Sequence, residues 1–478
     1  NYTVYICDAD LNILYYTYYT APYGEYQREY ISLDAYLGRV IRIVFSHENS
    51  DDKGELFLDD VSIAPPPPCP TTIASREDWN TFCDCVNNGR TDYAGQTVTL
   101  TVDVSDITKM AGNSTTNCFK GTFDGQGHTI TVNYTASESN YTAPFRYLNG
   151  TTIKNLKTEG TINGNGYQFC GGLAGDCYGI NTITNCVSNV TINSTVSGDG
   201  THGGFIARIQ GGTTTFNGCA FTGTMTGSST HSCGGFVGWT EGDQSARVYF
   251  NNCVYNPTTN TLGTSNSATF SRGRNSNSTN ITATNSYYFR SFGTVQGKQA
   301  YSVTGVSPVT VAMSGASTVY NVSGITAYNK GIEYGGAIYG GSGDNLSLSL
   351  GGSSTGYSAD HGTLSGSSNP YTLAMEAYNT KISAAIPDGC GDLSVYNGDG
   401  TTTNSYLPSY NYYNYSLSQQ IYTPCEIGYG GTISSISFYN GGTEKTRTYD
   451  IYLVHTSKNA FDNNTDWITV GSGDKVFS

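Results

Sequence analysis

A glycine pair recurs along the middle of the chain at an almost constant interval, and this periodicity constrains the fold more than any other feature. Cys170, His202 and Cys233 are each followed by Gly-Gly and an apolar residue, at steps of 32 and 31 residues. A second landmark runs in phase, because ITNC, FNGC and FNNC end at Cys186, Cys219 and Cys253, at steps of 33 and 34 residues. A repeat of this length indicates stacked structural units.

The segments between these landmarks favour β-structure over helix. They contain short Thr-, Ile- and Val-rich strands such as TITNCVSNVTI, interrupted by Gly and Asn, without a helical stripe of apolar residues. Weaker copies of the second landmark extend the repeat in both directions, with IKNL ending at Leu156 and ATNS ending at Ser286. Each repeat is therefore predicted to be one coil of a β-helix, with equivalent residues stacked about 4.8 Å apart.

One short helix is predicted directly before this β region. Ser75 is a suitable N-cap, Asp78 follows three residues later, and Gly89 supplies the stop. Apolar residues follow the cap at helical spacing (Trp79, Phe82, Cys83 and Val86). QTVTLTVDV, over 96–104, then alternates as a strand. We expect the helix to cover the open end of the solenoid, whose first strands would otherwise have unpaired backbone groups.

Composition shifts divide the chain into five segments. Residues 1–63 alternate in places like half-buried strands, and residues 64–70 form a stiff Pro-rich linker. The capped β-helix is assigned to 71–299. A small Gly-rich β module follows over 300–386, and a Tyr-dense β segment follows over 387–478. The predicted fold class is all-β, with one short capping helix.

Composition and charge exclude several classes of function. Only 13% of the 478 residues are charged and the net charge is −14, so the chain has no basic face for nucleic acid. No apolar run approaches the roughly 20 residues that cross a bilayer, which predicts no membrane-spanning segment. The acidic balance and the abundance of Gly (59) and Tyr (39) suit a solvated extracellular protein.

The repeats CGGLAG…NC, HGGFIA…GC and CGGFVG…NC resemble GLUG-type repeats, which occur in surface and secreted proteins of Bacteroidota, including stalks of some IgA-cleaving proteases. The resemblance implies a right-handed parallel β-helix. YISLDAYLGRVIRIVFSHENSDDKGELFLDDVSI resembles the second half of a cleaved-adhesin, or MAM-like, jelly-roll module. The segment from NSYLPSYNYYNYS to YDIYLVHT resembles the first half of a related module, and 300–386 resembles small bacterial spacer modules.

The two flanking segments resemble opposite halves of a jelly roll, and neither half would bury a complete core alone. Two explanations follow. Either the chain is an excerpt of a longer protein, or the halves of different copies complete each other head to tail, which would propagate into a filament.

The cysteines present candidate chemistry and a structural alternative. The column Cys170–His202–Cys233 has the residue types of a Cys–His dyad or a metal site, yet no third orienting group is evident, which favours packing before a Gly corner. Cys186, Cys219 and Cys253 are predicted to form an inward ladder of buried free thiols, because parallel side chains disfavour disulfides. The total of 13 leaves at least one cysteine without an intrachain partner. The bridges we consider are Cys170–Cys177 and a bond from Cys69 to Cys83 or Cys85.

Two groups of ionisable residues are candidates for metal binding or acid–base chemistry. Asp124 and His128 lie in DGQGH, a context typical of a tight turn in the first coils of such helices. The adhesin-type jelly roll implies a structural calcium ion near its final strand, where Asp51, Asp52, Asp59 and Asp60 occur. Asp59 and Asp60 are the predicted calcium ligands, with solvated surface charge as the alternative.

The predicted function is that of a non-enzymatic, extracellular or cell-surface, adhesin-like or filament-forming protein. The β-helix would serve as a rod and the jelly-roll modules as units for binding host glycans or proteins, or for head-to-tail assembly. Exposed tyrosines such as those at 410–415 suit such contacts, and cross-strand packing is the alternative for them. The rival hypotheses are a β-helix polysaccharide-active enzyme and the stalk of a secreted peptidase.

Overall fold

The protein is described from a computed structural model, in which strands make up 47% and helices 5% of the structure and the strands build a β-solenoid of about seven turns. The all-β prediction with one capping helix is therefore confirmed. The described residues are 2–19, 31, 33–36, 38–47, 67–137, 141–241, 245–273, 280–305, 309–311, 320–322, 325–327, 332–351, 356–384, 417–422, 448–458, 460–463 and 465–477.

Three parallel sheets form the walls of the solenoid. Sheet 1 contains Thr72–Ile73, Thr97–Leu100, Thr122–Asp124, Thr152–Lys154, Ile180–Thr184, Thr213–Asn217, Arg247–Asn251 and Ile281–Thr284. Sheet 2 contains Val104–Ile107, Thr129–Thr135, Lys157–Asn165, Val187–Ser194, Ala220–Phe221, Thr224–Thr226, Val254–Tyr255, Thr259–Asn260, Tyr287–Tyr288 and Lys298–Gln299. Sheet 3 contains Phe145–Asn149, Ala174–Tyr178, Ile206–Ile209, Val237–Thr240 and Ser271–Gly273. A small parallel pair joins Gly198–Asp199 to Thr230–His231.

Successive coils stack in register, so equivalent residues form columns. In sheet 1, Ile183 aligns with Ile153 in the preceding coil and with Phe216 in the next coil. These inward columns fill the core. Aromatic rings of adjacent coils also stack there, with the ring centres of Phe205 and Phe236 4.8 Å apart. The outward residues of sheet 1 are mainly threonine, because alternate residues of a strand face opposite sides.

The Gly-Gly pairs stand at corners where backbone approaches backbone. A Cβ atom at Gly203 would lie 1.9 Å from the Ile206 carbonyl oxygen, so a side chain does not fit. The second glycine, Gly204, faces the next coil, and a Cβ atom there would lie 2.3 Å from the Gly235 carbonyl oxygen. Bridges from Gly171 to Gly203 and from Gly203 to Gly234 confirm the predicted register of this landmark.

The third residue of each second-landmark motif, directly before its last residue, has a left-handed backbone. Asn155, Asn185, Asn252 and Asn285 have φ between 45° and 55°, and Gly218 has the same role in FNGC with φ of 59°. Asparagine tolerates this conformation better than most side chains. Its amide also links coils, since Asn185 Nδ2 donates to Asn155 Oδ1 at 2.9 Å.

The predicted cap is a helix, α1, over Arg76–Asn87. The Ser75 hydroxyl accepts from the Asp78 backbone N–H at 3.1 Å, as the sequence predicts for an N-cap. Trp79 and Phe82 are fully buried against the first aromatic residues of the core, which include Phe123. Cys69 and Cys85 form a disulfide that fastens α1 to the preceding linker, which confirms one of the two predicted pairings and leaves Cys83 free.

Two local predictions are wrong. The strand predicted over 96–104 ends at Leu100, and Val104 begins a strand of a different sheet, because 101–103 form a corner of the first coil. The Cys170–Cys177 bridge is also absent, since both thiols are free. Cys177 aligns with Leu148 and Ile209 within sheet 3, whereas Cys170 belongs to the corner column beside Thr142.

The last coil is closed by a side chain. In earlier coils, the backbone N–H groups of two consecutive residues donate to one carbonyl of the next coil, as Phe236 and Val237 do to the Phe270 carbonyl. At the final strand of sheet 3, the N–H groups of Phe270 and Ser271 donate instead to Gln296 Oε1, at 3.0 and 2.8 Å. Gln296 Nε2 returns a bond to the Ser271 carbonyl at 2.8 Å. Its amide thus replaces the backbone of a further coil.

A second β unit packs against the outside of sheet 2. Its two sheets contain Tyr301–Thr304, Val309–Val311, Tyr320–Val322, Ile325–Ala327, Ile332–Tyr334, Ala337–Gly340, Asn345–Leu350, Tyr357–Ala359, Thr363–Ser365, Tyr371–Ala374 and Thr380–Ala384. Ile332 and Tyr339 contact the outward column that includes Val254. Tyr287 adds a polar contact, since its hydroxyl donates to Asp344 Oδ2 at 2.7 Å. Part of the outer surface of sheet 2 is therefore covered.

The flanking segments contain smaller sheets. Near the N-terminal end, Tyr2–Cys7 pairs antiparallel with Ile13–Tyr19 and with Arg42–His47, and Asp34–Tyr36 is a 3-10 turn. Near the C-terminal end, Ile451–Tyr452 pairs with Lys475–Phe477, preceded by a 3-10 turn at Ser472–Asp474. Among the described residues, no helix is long and apolar enough to cross a membrane.

The corner geometry predicts a large difference between two glycine substitutions. Gly203→Ala places a Cβ atom against the Ile206 carbonyl, so we expect a loss of about 3 kcal/mol of unfolding free energy. Gly166→Ala is the matched control, because a Cβ atom at this exposed glycine meets nothing within 4 Å, and its effect should stay within about 0.5 kcal/mol. Urea denaturation followed by circular dichroism measures both, and equal midpoints for the two variants would contradict the corner assignment.

Candidate functional site

In the candidate column of Cys170, His202 and Cys233, side chains accept hydrogen bonds from backbone N–H groups at the corners. The Cys170 N–H donates to His202 Nδ1 at 3.2 Å, and the His202 N–H donates to Cys233 Sγ at 3.4 Å. The Cys233 N–H donates to Ser267 Oγ at 3.1 Å, so the column has a fourth member. His202, Cys233 and Ser267 thus each accept from the backbone of the preceding coil, a role that imidazole, thiol and hydroxyl groups can all fill.

His202 is fully buried, and its hydrogen bonds assign one tautomer. Because Nδ1 accepts a backbone N–H, the proton is on Nε2, which donates to Ser194 Oγ at 2.8 Å. Thr230 Oγ1 lies 3.0 Å from the same serine oxygen and 2.6 Å from the Val196 carbonyl, which completes the network. Burial lowers the pKa of His202 to about 4, so the imidazole is neutral at pH 7.

The thiols of Cys170 and Cys233 are poorly suited to nucleophilic chemistry. Burial raises the pKa of Cys170 and of Cys233 to about 12, so each remains a thiol near neutral pH. The predicted inward ladder of free thiols is confirmed for Cys186, Cys219 and Cys253. Cys219 Sγ lies 3.4 Å from the Ile183 carbonyl oxygen, and the other two thiols contact carbonyl oxygens in the same way. Ser286 continues this column with its hydroxyl.

The DGQGH segment forms a turn in which Asp124 and His128 have different partners. Asp124 accepts from Asn155 Nδ2 at 3.0 Å and from Lys154 Nζ at 3.2 Å. His128 Nδ1 lies 3.2 Å from Asp103 Oδ1 in a neighbouring corner. The structure therefore gives no bond between Asp124 and His128 that would serve as an acid–base pair.

The predicted calcium ligands, Asp59 and Asp60, lie outside the described residues, as do Asp51, Asp52 and the tyrosines at 410–415. Within the described ranges, no group of three or more His, Cys, Asp or Glu side chains is placed to hold a metal ion. The calcium site remains a prediction from the sequence.

The structure reveals a charged and aromatic surface that the sequence analysis did not identify. Sheet 3 aligns Tyr147, Asp176, Arg208 and Trp239 in one outward column across four coils. Two guanidinium nitrogens of Arg208 donate to the Asp176 carboxylate. Nε donates to Oδ1 at 3.1 Å, and a terminal nitrogen donates to Oδ2 at 2.8 Å. Asp176 has no exposed side-chain surface, and its ion pair with Arg208 joins two adjacent coils.

Aromatic rings and polar side chains surround this ion pair. The Arg208 guanidinium lies 5.1 Å from the centre of the Tyr141 ring, within the range of a cation–π contact. Tyr178 donates to Asp176 Oδ2 at 2.9 Å and lies beside Gln210, which Arg208 also contacts. Burial, followed by the charge of Asp176, raises the pKa of the Tyr178 hydroxyl.

A second arginine site lies one coil beyond Trp239. The Arg272 guanidinium stacks 4.3 Å from the centre of the Trp239 ring and pairs with both oxygens of Asp199 at 3.0 Å. It also donates to the Ser232 carbonyl at 2.8 Å. Trp239 Nε1 donates to Glu241 Oε2 at 3.0 Å. We call these outward residues the sheet 3 face: Tyr147, Asp176, Tyr178, Arg208, Gln210, Trp239, Glu241 and Arg272.

A signal for this face was present in the sequence. Asp176, Arg208 and Trp239 each lie six residues after the first landmark residue of their coil, so the repeat that aligned the cysteines also aligned them. The column was not recognised because its residues, an acid, a base and an indole, differ in chemistry from one repeat to the next. Arg272 is harder to find, since the last coil replaces Gly-Gly with Ala268 and Thr269.

Comparisons with known proteins add little. No protein-family profile and no curated protein sequence matches the chain. Among solved structures, the chain is similar to a protein from Bacteroides ovatus whose assignment as an immunoglobulin A1 protease is provisional. The two share 17% sequence identity with a TM-score of 0.29, over 46% of this chain and 75% of the other. A likeness at this level supports no conclusion about this chain.

The buried imidazole of His202 predicts that the free energy of unfolding falls as the pH is lowered. His202 takes up a proton near pH 6.5 in the unfolded chain but only near pH 4 in the folded one. Its contribution is therefore complete above pH 6.5 and is lost as the pH falls to about 4, which removes about 3 kcal/mol. His202→Cys, which copies Cys170 and Cys233, should lose this slope. Urea denaturation between pH 7 and pH 4 measures the difference, and identical pH profiles for both proteins would contradict the assignment.

Burial also predicts which cysteines resist alkylation. We expect Cys170, Cys186, Cys219, Cys233 and Cys253 to remain unmodified by iodoacetamide in the native protein at pH 8, because each side chain is buried and the reagent cannot reach it. All five should react after denaturation in guanidinium. Peptide mass spectrometry identifies the modified sites. Rapid native alkylation of Cys170 or Cys233 would restore the nucleophile hypothesis.

Proposed function

We propose that the protein is a non-enzymatic, extracellular or cell-surface, adhesin-like scaffold in which a GLUG-type β-solenoid serves as a rigid rod that displays binding surfaces. The observation that carries this proposal is the in-register stacking of coils, which repeats outward side chains along one axis. About seven turns at the strand spacing give a rod of roughly 34 Å.

An oxidising location is supported by the Cys69–Cys85 disulfide, since such bonds persist in extracellular compartments and are rare in the cytosol. The acidic composition, with a net charge of −14, keeps such a rod solvated. The buried free thiols are compatible with this location, because the core encloses them away from oxidants.

The alternative of a polysaccharide lyase or hydrolase needs acids and bases that are free to reach substrate. The sheet 3 face does bring acids and bases together, yet Asp176 pairs with Arg208 and Asp199 pairs with Arg272. Asp176 is also fully buried. This pairing favours a structural and binding role for these groups over proton transfer.

The flanking modules are proposed to contribute binding or head-to-tail assembly. This part rests on the resemblance of the two ends to complementary jelly-roll halves. The calcium site at Asp59 and Asp60 belongs to the same proposal, as a structural ion of the N-terminal module.

A retention and turnover experiment tests the proposal. The purified chain is incubated with immobilised host glycans and extracellular-matrix proteins, with and without EDTA, and the recovered ligands are measured by mass spectrometry. We expect at least one ligand to be retained and recovered intact, and negative-stain microscopy to show particles joined end to end. Cleavage of a bound ligand would overturn the non-enzymatic assignment. Uniformly single particles would overturn assembly.

A further inference from the structure

The three walls of the solenoid offer different surfaces. Sheet 1 presents a column of short hydroxyl side chains (Thr97, Thr122, Thr152, Thr182, Thr215 and Thr282), interrupted by Tyr249. Part of sheet 2 is covered by the β unit that includes Ile332 and Tyr339. Sheet 3 combines aromatic rings with planar polar groups, and Trp239, Arg208 and Gln210 remain partly exposed.

The side chains of the sheet 3 face are held in place before any ligand arrives. Arg272 is fixed by the carboxylate of Asp199, a backbone carbonyl and the Trp239 ring. Glu241 fixes the Trp239 ring through its indole N–H. A ligand that binds such a surface does not have to order flexible side chains, which reduces the entropic cost of binding.

The charge of this face argues against a polyanionic ligand. Two guanidinium groups, Arg208 and Arg272, are matched with the carboxylates of Asp176 and Asp199, and Glu241 adds one further negative charge. A sulfated or uronic acid polymer would need unpaired cations. Paired charges retain hydrogen-bonding atoms for hydroxyl groups, while exposed ring surface packs against apolar C–H groups.

We propose that the sheet 3 face binds an uncharged glycan chain that lies along the solenoid axis. The inference rests on the proposed function, because it names the ligand class and the surface that the rod displays. The aligned column repeats at each coil, about every 4.8 Å, so an extended chain of sugars contacts side chains from several coils. Trp239 remains partly exposed and provides the main apolar contact.

Two tryptophan variants and one tyrosine control test the assignment. Trp239→Ala should weaken binding of uncharged hexasaccharides, made of glucose, mannose, xylose or N-acetylglucosamine, by roughly tenfold or more. Trp239→Phe keeps an aromatic ring and should therefore weaken binding less than Trp239→Ala does. Tyr249→Ala removes the partly exposed aromatic of sheet 1 and should leave the affinity within about twofold. Isothermal titration calorimetry measures affinity, and circular dichroism melts verify that each variant is folded.

Three outcomes overturn the inference: no uncharged hexasaccharide binds the wild-type chain, sulfated or uronic acid hexasaccharides bind more tightly, or Trp239→Ala and Tyr249→Ala weaken binding equally. The proposed scaffold function survives these outcomes if the chain still retains a host protein intact. Cleavage of a hexasaccharide would instead overturn the scaffold function, so the two failures are distinguishable.

Discussion

The structure depends on in-register hydrogen bonding between parallel coils. Each coil presents a row of N–H and C=O groups that the next coil must meet at the same height, and the corners leave groups that strand pairing does not satisfy. The chain meets this requirement with stacked side chains. His202, Cys233 and Ser267 accept backbone N–H groups at one corner, while Cys186, Cys219 and Cys253 contact carbonyl oxygens at another. Contacts with backbone groups thus account for Cys186, Cys219, Cys233 and Cys253.

The same stacking governs the exterior. A residue at an outward position has equivalent residues above and below it, so a face acquires either uniform chemistry, as in the threonine column of sheet 1, or compensating chemistry, as in sheet 3. Asp176 and Arg208 are acceptable neighbours because each neutralises the other at close range. An isolated Asp176, buried as it is, would be costly.

Much of the solenoid could be predicted from the sequence because its strongest signals are local and periodic. The Gly-Gly corners, the turn before each landmark cysteine and the N-cap at Ser75 follow from backbone geometry that few residues tolerate. The corner at 101–103 escaped prediction, since alternation continues through it without Gly or Pro. Contacts between distant segments were also missed, including the packing of Ile332 on the outside of sheet 2. Composition does not specify which surfaces meet.

The amide of Gln296 has a consequence for how the length of the solenoid is encoded. Since this side chain reproduces the hydrogen bonds of a further coil, the terminal strand of sheet 3 does not offer its amide groups as a template to another chain at that point. The stop signal is local to the last coil, while the inner coils share interchangeable corners. Duplication or loss of an inner repeat would therefore change the reach of the protein and leave both of its ends intact, a route by which related chains could diverge in length.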